Sequence, residues 1–188
     1  GCRRMIRVGS CGSLQPATIR TGSVAIATSG IKDEGTSRNY APAEFPSVAA
    51  RSLVEAMVAG SMRLGLGELT FAGPIHSKDS LYAREFRAGA LGEEHVEYMR
   101  KLTALGAIAS EMEASLMFTL GSVYSGPPVS VAAQATGADS GAEVMLGAVC
   151  GVIGDDSPFS DPEEQVRAVD RAIEIAVQGI REMHARTH

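Results

Sequence analysis

Two short runs constrain this chain most. Ser23-Val24-Ala25-Ile26-Ala27-Thr28 and Ala148-Val149-Cys150-Gly151-Val152-Ile153 are apolar almost throughout, with no polar alternation. Strands of that kind are buried on both faces, so their sheet needs helices on both sides. Helical segments are present to cover it. Val96, Met99, Leu102 and Leu105 recur at helical spacing from Glu93 to Leu105, and Gly106 is a natural stop. Asp161-Pro162-Glu163-Glu164 reads as a helix start: Asp caps, Pro fits the first turn, and acids face the positive end of the dipole. Val166, Val169, Ile173, Val177, Ile180 and Met183 then mark one apolar face. Further helices are expected from Pro46 to about Leu64 and from Glu113 to Val123. Shorter strands are expected at Met5–Val8, Leu69–Ala72 and Ala107–Ser110. Loops are expected from Ser29 to Ala43, from Ile75 to Gly92, and as a surface excursion from Tyr124 to Met145. The alternation predicts an α/β fold with a parallel or mixed sheet, and 188 residues suit one domain with a real core.

Charge and cysteine content narrow the function. The net charge of −5 disfavours a general polyanion binder, so no nucleic-acid partner is expected. No apolar run reaches the roughly 18–20 residues of a membrane span, and no signal peptide opens the chain. Cys2, Cys11 and Cys150 form no CxxC pair and no Cys/His cluster, so neither a zinc site nor a disulfide framework is expected. His76, His95, His184 and His188 are likewise too far apart to indicate a metal. Reduced thiols point to a cytoplasmic compartment.

Four segments could carry chemistry. In Arg7-Val8-Gly9-Ser10-Cys11-Gly12-Ser13 a strand is expected to end in a Gly/Ser turn whose N–H groups converge on an anion, with Ser10 and Arg7 adding donors. The spacing is neither GxxxxGK[ST] nor GxGxxG, and on spacing alone a plain glycine turn with a solvated Arg fits better. Glu111-Met112-Glu113 could grip sugar hydroxyls while Met112 packs on the sugar's apolar face; acids at a helix N-terminus are the alternative. Gly154-Asp155-Asp156-Ser157 closes the last strand, where an Asp could act as a general acid or form an Asx turn. The segment Ser77–Arg87 mixes Leu81, Tyr82 and Phe86 with polar residues, as a cover for a flat heterocycle or as an ordinary surface loop.

Together these pieces resemble the nucleoside phosphorylase family that includes uridine phosphorylase and the hexameric purine nucleoside phosphorylases. Arg7 to Pro16 resembles the family's second phosphate motif, Tyr40-Ala41-Pro42-Ala43-Glu44-Phe45-Pro46-Ser47-Val48-Ala49 a segment of the uridine branch, and Ser110-Glu111-Met112-Glu113-Ala114 the ribose motif. The resemblance implies a single three-layer α/β/α domain over residues 1–188 with a central mixed sheet. It also implies reversible phosphorolysis of a nucleoside to free base and ribose 1-phosphate, with no metal or organic cofactor and inorganic phosphate as co-substrate. Arg7, Gly9 and Ser10 would bind phosphate; Glu111, Met112 and Glu113 the ribose; Ser80, Leu81, Glu85, Arg87 and Ile153 the base. Arg87 would also be catalytic, as would Asp155 if the enzyme is of the purine type. A homo-oligomer, a hexamer built from dimers, is implied as well.

Base preference rests on motif balance. Glu85 falls where the uridine branch has a Gln, and an ionised carboxylate accepts from N3–H but cannot donate to a carbonyl. Tyr40 to Ala49 and Lys78-Asp79-Ser80-Leu81-Tyr82 favour uridine; Asp155 favours a purine. The family's first phosphate motif, a Gly-Asp-Pro turn with a following Arg, has no counterpart here. Its first strands, and an Arg that crosses from a neighbouring subunit, are expected to be missing too. Two alternatives follow: a nucleosidase that uses water, against which Arg7 and Ser10 argue, and an inactive nucleoside-binding remnant or assembly partner.

Overall fold

The computed structural model describes residues 2–127, 130, 143–155 and 161–185. Among the described residues, five strands and five α-helices run in the order β1 (Arg4–Ser13), β2 (Val24–Asp33), α1 (Arg51–Arg63), β3 (Thr70–Lys78), α2 (Leu81–Glu85), α3 (Gly92–Ala104), β4 (Ala109–Glu111), α4 (Ala114–Tyr124), β5 (Met145–Gly154) and α5 (Pro162–Ala185). The strands form one mixed sheet in the order β1-β4-β3-β2-β5. β5 runs parallel to β1 from Arg4↔Met145 to Cys11↔Val152 and antiparallel to β2 from Val24↔Gly151 to Ile26↔Val149. Two residue pairs between β1 and β4, Gly12↔Ser110 and Ser13↔Ala109, curl the sheet back on itself.

The two apolar runs are buried on both faces. On β2, Val24 and Ile26 pack with Met57 of α1 and Ala172, Ile175 and Ala176 of α5. Ala25 and Ala27 point the other way, into a core with Ala114 and Phe118 of α4. This is the α/β/α layering that strands without polar alternation require. Gly151 sets the spacing on the α5 side: a Cβ there would lie 2.5 Å from the Ala168 carbonyl carbon, so the helix could not approach as closely.

Several expected boundaries move. The Gly/Ser turn after Val8 does not form. β1 continues to Ser13 because β5 supplies a parallel partner as far as Val152, and that long-range pairing overrides local turn composition. β2 extends to Asp33 into the expected loop. The helix expected from Pro46 starts at Arg51, since Val48 is held extended in a bridge to Ser29. Of the loop expected at 75–92, residues 75–78 are the end of β3, 81–85 the short helix α2 and Gly92 the start of α3, while 79–80 and 86–91 are loop. The strand expected at Ala107–Ser110 is β4, Ala109–Glu111. Of the expected excursion from Tyr124 to Met145, positions 128, 129 and 131–142 lie outside the described residues.

Candidate active site

A cavity opens where the C-terminal parts of four strands meet, the position at which α/β sheets place ligands. Its floor is β1 through Arg7, Ser10, Cys11 and Gly12, with Ile153 and Gly154 beside it on β5. Ser110 and Glu111 of β4, followed by Met112 and Glu113, form one wall. Lys78 at the end of β3, with Leu81, Glu85 and Phe86 on and just after α2, forms the other.

Arg7 anchors one end. Its Nη2 ion-pairs with Glu113 Oε2, its Nη1 lies 3.4 Å from Glu111 Oε2, and Nη1 donates to Cys150 Sγ at 3.1 Å. Residues 7 and 9 share a strand face, and the guanidinium lies across Gly9, where a Cβ would sit 2.7 Å from Cζ. Burial works against the Arg7 charge, but Cys150, Glu111 and Glu113 outweigh it and raise the guanidinium above an ordinary arginine. The contact with Cys11 lowers the Cys150 thiol, against the effect of burial and with help from Arg7, while Cys11 is pushed well up by that contact and by burial.

The two glutamates differ in environment. Glu111 has a fully buried side chain and accepts from Glu113 N at 2.9 Å, from Ala114 N at 2.9 and 3.1 Å, and from Ser77 Oγ. It therefore satisfies the open N–H groups at the start of α4. The Glu113 side chain is 55% exposed and, Arg7 apart, free to accept hydroxyl donors. Met112 beside it is partly exposed on the cavity wall.

At the other end a buried hydrogen-bonded chain runs inward from Lys78. Its Nζ donates to Ser110 Oγ at 2.7 Å, Ser110 Oγ lies 3.0 Å from His76 Nδ1, and His76 Nε2 lies 2.9 Å from Asp33 Oδ2. Arg84 donates to Asp33 Oδ1 at 2.6 Å and stacks 4.9 Å over the Tyr98 ring. Burial raises the Asp33 carboxyl, but His76 and Arg84 more than offset it and hold it below the usual range. The Asp33 carboxylate thus faces His76 Nε2, with Ser110 Oγ against the other ring nitrogen. Lys78 Nζ also stands 2.6 Å from Glu85 Oε1.

Among the expected site residues, Arg7, Ser10, Leu81, Glu85, Glu111, Met112, Glu113 and Ile153 line this cavity. Gly9 lies beneath the Arg7 guanidinium. Ser80 caps α2, accepting from Ala83 N at 3.2 Å. Arg87 is exposed in a left-handed conformation (φ 57°) and does not line the cavity. Asp155 accepts from Thr21 N at 3.1 Å, which turns its carboxylate toward the β1–β2 connection rather than the cavity. Phe86, read from sequence as part of a heterocycle cover, lines the cavity; Lys78, Ser110 and Cys11 stand in the quoted motifs without roles of their own, and Cys150 is read there only as part of a strand. A His and a Lys two apart share one strand face, and that spacing was the available signal for Lys78. Among the described residues no group of three or more His, Cys, Asp or Glu could hold a metal ion, and no helix is long and apolar enough to cross a membrane.

A family model described as the phosphorylase superfamily matches residues 1–179. The chain belongs to that superfamily. Within it, the chain is 32% identical over 186 residues to the uridine phosphorylase of Treponema pallidum, covering 96% of this chain and 63% of that protein. It is 30% identical over 124 residues to the uridine phosphorylase of Escherichia coli, 64% of this chain and 48% of that one. It is also 29% identical to the guanosine phosphorylase of Halorubrum lacusprofundi over 189 residues, 96% and 66% respectively. The chain therefore spans less than two thirds of the length of these uridine phosphorylases. Its mixed sheet with helices on both faces is the α/β architecture expected of the superfamily.

Proposed function

We propose that this chain carries the nucleoside site of a nucleoside phosphorylase, with uridine as the favoured substrate. One observation carries the reading: a single cavity brings Arg7 and Ser10, the exposed carboxylate of Glu113 with Met112, and Leu81, Glu85 and Phe86 on and just after α2 together. Phosphate would sit at Arg7 and Ser10, where fork-shaped donors suit its oxygens. Glu113 would accept from the ribose 2′- and 3′-hydroxyls, with Met112 against the sugar's apolar face. Glu111 would hold the start of α4 so that Glu113 keeps its place. A phosphate oxygen attacks C1′, the C1′–N bond breaks, and its electron pair leaves with the base. Holding phosphate and sugar in line removes much of the entropic barrier, and a carboxylate beside the sugar suits the positive charge that builds there. Phosphate serves as co-substrate, with no metal or organic cofactor.

The names of the relatives support uridine, and the guanosine phosphorylase supports a purine substrate as the second reading. A cytoplasmic location fits three free cysteines. Assembly into a dimer-based homo-oligomer is supported by Val166, Ile173, Val177 and Ile180, an exposed apolar row along α5.

A non-catalytic nucleoside-binding role is favoured by one observation. The lining carries Arg7 and Lys78 against Glu85, Glu111 and Glu113, few cations for a phosphate dianion. Incubation with uridine or inosine, with and without phosphate, tests both readings when free base is followed by chromatography. Phosphate-dependent release is expected. Release without phosphate indicates a nucleosidase, and no release indicates the binding role.

A further inference from the structure

The two terminal nitrogens of Arg7 are held differently. Nη1 is fixed from the protein side: it donates to the fully buried Cys150 Sγ at 3.1 Å and lies 3.4 Å from Glu111 Oε2. Neither partner is free to leave. Cys150 sits within β5, and the Glu111 carboxylate is committed to Ser77 Oγ and to the N–H groups of Glu113 and Ala114. Nη2 has a partner of the opposite kind. It ion-pairs with Glu113, whose side chain is 55% exposed and, among the described residues, accepts from no other side chain. The Glu113 carboxylate thus stands on the nitrogen that a phosphate at Arg7 and Ser10 needs. Two anions repel strongly when they share one cation at hydrogen-bond distance. The ribose makes a matching demand. Two adjacent hydroxyls are gripped best when each donates to its own carboxylate oxygen, and one Glu113 oxygen is spent on Arg7. Each ligand therefore requires the same ion pair to break.

We propose that Nη2 of Arg7 is passed from Glu113 to phosphate, and that this exchange couples the two substrates. Phosphate on Arg7 releases Glu113 to the ribose, and ribose on Glu113 releases Arg7 to phosphate. This rests on the nucleoside phosphorylase reading given above. The ion pair is broken once and serves both ligands, so whichever binds second binds more tightly, and by linkage the gain is the same in either order. The exchange also accounts for a lining in which Arg7 and Lys78 face Glu85, Glu111 and Glu113: one carboxylate turns away from the phosphate end as the phosphate arrives. Cys150 is a positioning residue in this device. It keeps Nη1 in place while Nη2 changes partner, so the guanidinium stays across Gly9 and does not follow Glu113.

The test is titration calorimetry with inorganic phosphate and carbocyclic uridine, whose C1′–N bond does not cleave because its sugar ring has no oxygen to carry the positive charge. In the wild type each ligand is expected to raise the affinity of the other about 5- to 100-fold, by the same factor in both orders. Glu113→Gln removes the competitor, so phosphate alone should bind about fivefold or more tighter, and the coupling should vanish. Cys150→Ala frees Nη1 and should weaken phosphate alone about 3- to 10-fold. That is the opposite sign, although both variants take an acceptor from Arg7. Cys150→Ser, whose hydroxyl accepts from Nη1, should restore phosphate binding. The exchange is overturned if the two ligands bind independently in the wild type, if the coupling survives in Glu113→Gln, or if that variant does not bind phosphate more tightly. Independent binding leaves the nucleoside reading standing. An analogue that binds under no condition sinks that reading and the exchange with it. Unchanged phosphate binding in Cys150→Ala overturns the role of Cys150. If that variant fails to fold, as judged by its melting curve, Glu113→Gln, at an exposed side chain, still decides the exchange.

Discussion

At the scale of single residues, the site depends on what a side chain can lie against as much as on what it carries. Arg7 was legible from sequence as a charge at the site, and it does line the cavity beside a glycine. The physical role of Gly9 was not, because it is steric and not conformational: φ at Gly9 is ordinary, and the missing Cβ makes room for the guanidinium. Gly9→Ala is therefore expected to fold normally, with stability within about 0.5 kcal/mol of wild type. The guanidinium, the flexible end of a long side chain, would move aside instead, away from Glu113. The KM for phosphate should then rise on the order of tenfold or more, since an ångström of misplacement is costly in an oriented site. Phosphate-saturation kinetics beside a melting curve check this; an unchanged KM would mean that Arg7 does not hold phosphate.

At the scale of elements, the junction between β4 and α4 shows how one short segment divides its labour. Glu111 and Glu113 are two residues apart and read alike in the sequence, yet only Glu111 takes up the backbone N–H groups of Glu113 and Ala114. Removing it leaves buried donors without partners, so Glu111→Ala should lose about 2–4 kcal/mol in urea unfolding. Glu113→Ala, half exposed, should lose less than about 1 kcal/mol and act instead on ribose binding. Equal stability losses from the two would refute the division. The same contrast explains which elements were legible. β2 and β5 were legible as apolar runs and α3 and α5 as helical spacing, although β2 runs five residues past its expected end and the α5 residues Val166, Ile173, Val177 and Ile180 are exposed while Ala172, Ile175 and Ala176 pack on the sheet. The end of β1 and the second half of β3 were not legible. Gly9, Ser10 and Gly12 have turn composition, and His76 and Lys78 are polar, so locally both stretches resemble loops. They are strands because β5, β2 and β4 pair with them, and because Ser110 and Asp33 satisfy the polar side chains from elsewhere in the chain.

At the scale of the whole molecule, the carboxyl end of β2 acts as a clasp among distant parts of the chain. Asp33 ties β2 to His76 of β3 and Arg84 of α2. Glu34 accepts from Ser115 Oγ of α4 at 2.9 Å and from Thr36 N and Ser37 N at 2.7 and 2.9 Å. Burial raises both carboxyls, yet hydrogen bonds and, for Asp33, the Arg84 charge prevail, so both sit below their ordinary values. The unfolded chain, with carboxyls near about 3.9 and 4.3, then takes up protons before the folded one does. A depressed folded value stabilises fully above that unfolded range and ceases to as pH falls through the folded value. The urea midpoint should accordingly hold level from pH 7 to about 5 and drop steadily toward pH 3. Asp33→Asn should start lower at pH 7 and fall less steeply, because one of the two linked protons is gone. A wild-type midpoint that stays flat between pH 5 and 3, or a variant slope equal to wild type, would show that the clasp does not carry the acid sensitivity. The position of Asp33 makes the result informative about the site as well. Its loss frees His76 and with it Ser110 and Lys78 on the cavity wall, so the variant should also bind uridine more weakly at neutral pH, where it is still folded.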